Sequence, residues 1–353
     1  MALSGCGSSS GSGGGGTKSA SNDICKTAKD GDGPKVGVAY DVGGRGDQSF
    51  NDSAYRGLTN AVKDLNASCI EAKATTTDND TTRAERLRTL AEGGYNPVIA
   101  IGYLYSPAAA KVAAEMPDTD FAVVDGYSST LSKTPLKNLS DLVFAANEGS
   151  YLVGVAAALK TKAKHVGFVG GVPGAVIGPF EAGFEAGVKS IDPSIKIEVT
   201  YLTQDQTDAQ AAYENPSGGK DAASAMYEKG ADVVFHAAGK SGLGVFQAAA
   251  AAGDGKWAIG VDSDQYLTAP KDQQSHILTS ALKRIDTAVY DEIKSFKDKT
   301  LKPGFVNYNL KNDGVGIAES GGFVDDIKDK ITAASDKIKS GEIVVPTDPK
   351  KVK

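Results

Sequence analysis

The sequence predicts an α/β protein built as two doubly wound parallel-sheet lobes, and three observations carry that expectation. From Val36 onward, short β-branched runs alternate with Ala-rich segments of helical period, the pattern of βα units laid into a parallel sheet. The chain also repeats itself. Gly94-Tyr95-Asn96-Pro97-Val98-Ile99 parallels Gly230-Ala231-Asp232-Val233-Val234-Phe235 at an offset of 136, and Phe121 to Asp125 parallels Trp257 to Asp262 at an offset of 137 counted at the aspartates. Phe50 followed by Gly57 parallels Phe180 followed by Gly187 at an offset of 130. Finally, 353 residues suit two domains of ordinary size, each long enough to bury a core.

In chain order, residues 1–33 begin with a Ser/Gly-rich stretch that cannot bury enough apolar surface to order itself, and they read as a flexible tether. Leu3-Ser4-Gly5-Cys6 resembles the lipobox of bacterial lipoproteins, in which the cysteine carries a diacylglyceryl thioether, so Cys6 is expected to anchor the chain to a membrane. Five residues precede Cys6, fewer than a complete export signal contains, so that signal is expected to be missing or truncated. A coil of about 29 residues from Cys6 to Lys35 would reach roughly 30 Å.

Strands are then expected at 36–41, 98–101, 121–124, 166–169, 195–201, 233–237 and 257–261, with helices such as 81–91, 148–159, 180–190, 220–229 and 243–252 between them. Gly93-Gly94, Pro107, Pro173 and Gly253 punctuate the boundaries. Strands at 277–282 and 305–310 and a helix at 324–339 follow both repeats and must be shared between the lobes, which requires several crossings. The division drawn from this is 34–145 plus 263–300 for the first lobe, 146–262 plus 301–345 for the second, and 346–353 as a tail. Cys25 stands just before the first strand and Cys69 near the end of the first helical segment. An exported chain would oxidise them where they meet, and a disulfide is expected; two buried thiols are the alternative.

Composition narrows the function. Lys and Arg are scattered and outnumbered, 38 against 44 acidic residues, so there is no basic face for nucleic acid. His165, His236 and His276 show no metal-ligand spacing and read as structural. The one G-x-S-x-G match, from Gly7, lies in the tether and lacks the strand-turn-helix setting of a nucleophile elbow. Gly43-Gly44-Arg45-Gly46 lacks the Lys-Ser/Thr of a phosphate loop, and Asp262-x-Asp264 has no calcium-loop pattern around it. No catalytic residue, metal or cofactor is expected.

What remains suits a neutral, polar, aromatic solute. In an open parallel sheet a ligand sits beyond the carboxyl ends of the strands, and Asp41, Asp125, Gly239 and Asp262 all lie at such ends. Phe50, Asn51, Tyr213 and Lys283 complete a set in which rings can sandwich a planar base, carboxylates accept from N–H or hydroxyl groups, and an ammonium donates. Taken singly, each also has an ordinary structural reading as core residue, helix cap or solvated charge.

These residues lie in blocks that resemble the basic membrane protein family of bacterial solute-binding lipoproteins: Asp47-Gln48-Ser49-Phe50-Asn51-Asp52, Phe121 to Asp125, Phe180-Glu181-Ala182-Gly183-Phe184, Ala258 to Gln265, and Thr279 to Arg284. The resemblance implies a type I periplasmic-binding-protein fold, with two lobes joined by a three-segment hinge. It also implies a purine nucleoside held between the lobes and delivered by a monomeric, lipid-anchored receptor to the permease and ATPase of an ABC importer at the outer face of the cell membrane. In this family pattern Phe50 stacks on the base, Asn51 and Asp125 hydrogen-bond it, Asp262 and Lys283 hold the ribose, and Gly239 offers a backbone contact. Tyr213 stands where the family usually has a second Phe. Within the same fold, a sugar ligand or a sensing role with a signalling partner is the competing expectation. A nucleoside hydrolase would need an Asp-rich calcium centre, which the dispersed aspartates do not supply.

Overall fold

The computed structural model describes residues 23–28, 31–75 and 77–352; Cys6 and most of the tether lie outside them. The first set of elements is α1 (Ile24–Thr27), β1 (Lys35–Ala39), α2 (Phe50–Leu65), β2 (Ser68–Ala72), α3 (Asp80–Glu92), β3 (Val98–Ile101), α4 (Ser106–Glu115), β4 (Phe121–Val124) and β5 (Leu139–Phe144). The second set is α5 (Ala146–Lys160), β6 (His165–Gly170), α6 (Gly178–Ile191), β7 (Lys196–Tyr201), α7 (Ala209–Tyr213), α8 (Pro216–Glu228), β8 (Val233–Ala237), α9 (Leu243–Ala252), β9 (Trp257–Asp262), α10 (Lys271–Gln274) and β10 (Ile277–Lys283). α11 (Ile285–Lys297), β11 (Gly304–Tyr308), β12 (Val315–Ile317) and α12 (Lys328–Ser340) close the chain.

Two six-stranded sheets result, in the orders β11-β5-β4-β3-β1-β2 and β12-β10-β9-β8-β6-β7. The two orders correspond position for position, β1 to β5 with β6 to β10, so the internal repeat is structural as well as sequential. All pairings are parallel except that of β12 with β10. The period of two explains why both faces are covered. Val36 and Val38, Ile99 and Ile101, and Ala122 and Val124 enter one core, while Val98, Ala100, Phe121 and Val123 enter the core on the other face. The second sheet divides likewise, Phe168 and Phe235 on one side and Val169 and Val234 on the other.

The chain crosses between the sheets three times, after β5, after β10 and after β11. These crossings correct the division drawn from sequence. Ile277–Lys283, expected in the first lobe, ladders directly onto β9 and so belongs to the second sheet; the crossing follows Lys283 instead of Asp262. Gly304–Tyr308, expected in the second lobe, pairs with β5 at the edge of the first sheet. Residues 346–352 are no detached tail, since a Cβ at Gly178, at the start of α6, would lie 3.7 Å from Pro349.

Helices exchange in the same way. α11 packs on α2 of the first lobe, where Gly57 lets the backbones meet: a Cβ there would lie 2.3 Å from the Asp286 carbonyl oxygen. α5 packs on α6 of the second, where a Cβ at Gly187 would lie 2.2 Å from the Tyr151 carbonyl oxygen. The repeated glycine therefore marks the same close helix crossing in each lobe. Cys69 lies in β2, not at the end of a helix, and is bonded to Cys25, which clips α1 onto the edge of the first sheet. No helix among the described residues is long and apolar enough to cross a membrane.

Candidate functional site

The carboxyl ends of both sets of strands face a cleft of about 660 Å³, counting the part open to solvent. Phe50, Asn51, Asp125, Tyr213, Gly239, Asp262 and Lys283 all line it. Asp125, Gly239, Asp262 and Lys283 are delivered by strand ends or the residues just past them, Phe50 and Asn51 by the first turn of α2, and Tyr213 by the end of α7. Asp125 and Asp262 occupy equivalent positions at the ends of β4 and β9, and both adopt the left-handed conformation, with φ of 59° and 63°. That turn away from the strand aims the carboxylates across the cleft. Gly102 immediately follows β3 and Gly239 stands two residues past β8, both also at positive φ.

Lys283 forms the centre of the site. It ends β10, is buried, and its ammonium pairs with the carboxylate of Asp125 from the other lobe. Three rings surround it, with centroids at 5.2 Å for Phe50, 5.1 Å for Phe144 and 5.5 Å for Phe180, so the quadrupoles and the carboxylate together replace lost hydration. Asp262 is also buried, and burial pushes its pKa up to about 6 although the Lys283 charge opposes this. It accepts from the Ser49 hydroxyl of the first lobe. Ser263 donates to the Ser49 carbonyl at 3.0 Å and accepts from Arg56 at 2.8 Å, so the lobes are bridged next to the cleft.

The start of α2 is organised by Asp47. Ser49 at the cap makes no side-chain capping bond; instead the buried Asp47 carboxylate accepts from the backbone N–H groups of Ser49, Asn51 and Asp52 at 3.0, 2.8 and 3.1 Å. The same carboxylate accepts from Nδ2 of Asn51 at 3.1 Å. Asp41, Tyr103 and Tyr213 also line the cleft. Burial raises Asp41 to about 6, with the nearby Arg83 guanidinium opposing, and burial likewise raises the Tyr103 and Tyr213 phenols, so both remain hydroxyl donors.

Asp41, which the sequence placed at a strand end, lines the cleft, whereas Asp47, Tyr103 and Phe180 line it without having been singled out from the sequence as cleft residues. For Phe180 the signal existed, since it is the repeat partner of Phe50. The Gly-Arg-Gly loop is accounted for differently: the Arg45 guanidinium lies 3.4 Å over the Tyr55 ring and 3.1 Å from Glu71, which pins the loop to its own lobe. His236 is buried and pushed down to about 3, hence neutral; His165 lies 3.5 Å from Glu198, and His276 lies 3.1 Å from the Lys256 carbonyl.

Comparison with known proteins gives a consistent picture. Residues 34–349 match the family described as ABC transporter substrate-binding protein PnrA-like. The chain is 36% identical over 328 residues to a CD4+ T-cell-stimulating antigen of Listeria innocua, covering 89% of this chain and 88% of that protein. It is 33% identical over 326 residues to the ABC transporter nucleoside-binding protein BmpA of Lactococcus lactis, covering 89% of each. A solute-binding protein of an ABC transporter system from Aeropyrum pernix K1 superposes with a TM-score of 0.75 at 26% identity, covering 89% of this chain and 94% of that one.

Proposed function

Since the chain belongs to the PnrA-like family of ABC transporter substrate-binding proteins, a family of solute-binding proteins and not of enzymes, we propose that it is a receptor for a purine nucleoside of the inosine, guanosine or adenosine class. The observation that carries this reading is the pairing of flat apolar and charged groups in one cleft: the Phe50 and Phe180 rings approach from opposite lobes, with Asp125, Asp262 and Lys283 beside them. A planar base between rings and a hydroxyl-rich sugar among carboxylates and an ammonium satisfy both halves of that surface. Four carboxylates, Asp41, Asp47, Asp125 and Asp262, line the cleft against Lys240 and Lys283, which suits a neutral ligand better than an anionic one.

Residues from both lobes contact such a ligand only when the lobes are together, so binding shifts the population toward the closed form, with bending at the three crossings. The closed receptor then meets a permease, whose ATPase drives import, and Cys6, through its lipobox-like setting, holds the monomer at the outer face of the membrane. Calorimetry of the full chain against inosine, guanosine, adenosine, ribose and hexoses tests the ligand. Nucleoside binding that weakens by about 1–3 kcal/mol in Phe50→Ala, the range for losing one stacked ring, supports the reading. Binding of sugars alone, or of none of these, overturns it.

A further inference from the structure

The amide of Asn51 presents an unusual combination: the residue is 2% exposed and lines the cleft, yet its Oδ1 has no hydrogen-bond partner among the described residues. The reason lies in Asp47. Both of its carboxylate oxygens already face N–H donors, Oδ1 toward the backbone of Ser49 and Asp52, Oδ2 toward the backbone of Asn51. Only a further N–H can approach Oδ2, so the nitrogen of the Asn51 side chain must take that place, at 3.1 Å. The oxygen is then left on the other side. Rotation of the amide would set oxygen against oxygen and is blocked.

Resting on the nucleoside reading, we propose that Asp47 is a positioning residue that fixes the polarity of Asn51, so that the cleft presents a one-way hydrogen-bond acceptor and selects nucleobases carrying an N–H on the ring edge. An unmade bond to a buried acceptor is costly, whereas an amide free to rotate could serve an acceptor edge equally well. The lock therefore converts an ambidextrous side chain into a selective one. It also consumes the amides at the start of α2 that could otherwise seat an anion.

The test compares inosine and adenosine, each with an edge N–H, with purine riboside, which has none, by calorimetry of the full chain. Wild type should bind purine riboside about tenfold or more weakly. Asp47→Asn, which offers an amide nitrogen of its own and frees Asn51 to rotate, should bring the three affinities to within about threefold; so should Asn51→Ala, which removes the acceptor and leaves the Asp47 capping bonds intact. In wild type without ligand, one Asn51 side-chain amide proton should exchange slowly in an NMR measurement, a readout that does not depend on Asp47→Asn folding. If purine riboside binds wild type as tightly as inosine, or if the preference survives in the variants, the lock is overturned while the nucleoside reading stands. If no riboside binds, both fall. Rapid exchange of both Asn51 amide protons also overturns the lock.

Discussion

Lys283 is buried and Asp125 half-buried, and each compensates the other's charge across the lobes. Asp125→Asn strands a buried ammonium and should lower stability by about 3–5 kcal/mol, whereas Asp125→Asn/Lys283→Met should recover much of that loss; denaturant unfolding of the two variants measures the difference. Asp262 gives a signature in pH. Its folded-state pKa of about 6 lies above the ordinary 3.8, so between these values the folded form holds a proton that the unfolded form has released. Stability should fall as pH rises from about 4 to about 6 and then level off, and Asp41 contributes in the same sense. Asp262→Asn should flatten part of that slope in thermal melts; an unchanged slope would show that Asp262 does not carry it. At this scale the sequence was legible where residue type and strand-end position coincide, as for Asp125 and Asp262. Asp47 was not, because a capping aspartate and a lock on a neighbouring amide look identical in one dimension. Phe144 was hidden for another reason: it ends β5, and its ring meets the Lys283 ammonium of the other lobe through tertiary packing alone.

Among elements, long apolar runs such as β3, β4 and β8 could be read directly, since both faces of their strands are buried. β5 could not. Its apolar run is interrupted by Ser140 and Asp141, and Asp141 is tolerated in the core because it accepts from the Ser128 and Ser129 amides at 3.0 and 2.7 Å, a tertiary arrangement with no local trace. β2 was missed because it is an edge strand with Ile70 exposed and Glu71 half-buried, and β12 because it is three residues long. The helix crossings make a prediction here. Gly57→Ala and Gly187→Ala each force a methyl group against a carbonyl oxygen and should cost about 1–3 kcal/mol, while Gly316→Ala, with nothing within 4 Å of its Cβ, should lie near wild type. The bond between Cys25 and Cys69 closes a separation of 44 residues, and replacing both by serine should cost about 2–4 kcal/mol in chemical denaturation.

For the molecule as a whole, the two lobes are bridged through Ser49, Asp262, Ser263 and Arg56. Ser49→Ala/Arg56→Ala should therefore enlarge the ligand-free radius of gyration in small-angle scattering, and saturating nucleoside should reverse the change; an unaltered radius would show that these bonds do not hold the lobes together. The overall two-lobe plan was legible because duplication leaves matched offsets in the chain. Which lobe owns the late strands was not, since ownership is decided by edge pairing and not by order.

That ownership bears on how the chain is made. The last strand of the first sheet pairs with β5, and the Ser140 hydroxyl bonds the Lys302 carbonyl across 162 residues of sequence. During synthesis the first lobe stays unfinished, its β5 edge bare and its Gly57 groove empty, until the second lobe has been almost entirely translated. At roughly 5–20 residues per second that is an interval of about 10–30 s. Throughout it, neither half can lock into its final shape, so a translocation channel would receive a chain still able to be threaded, kept in that state by its own wiring.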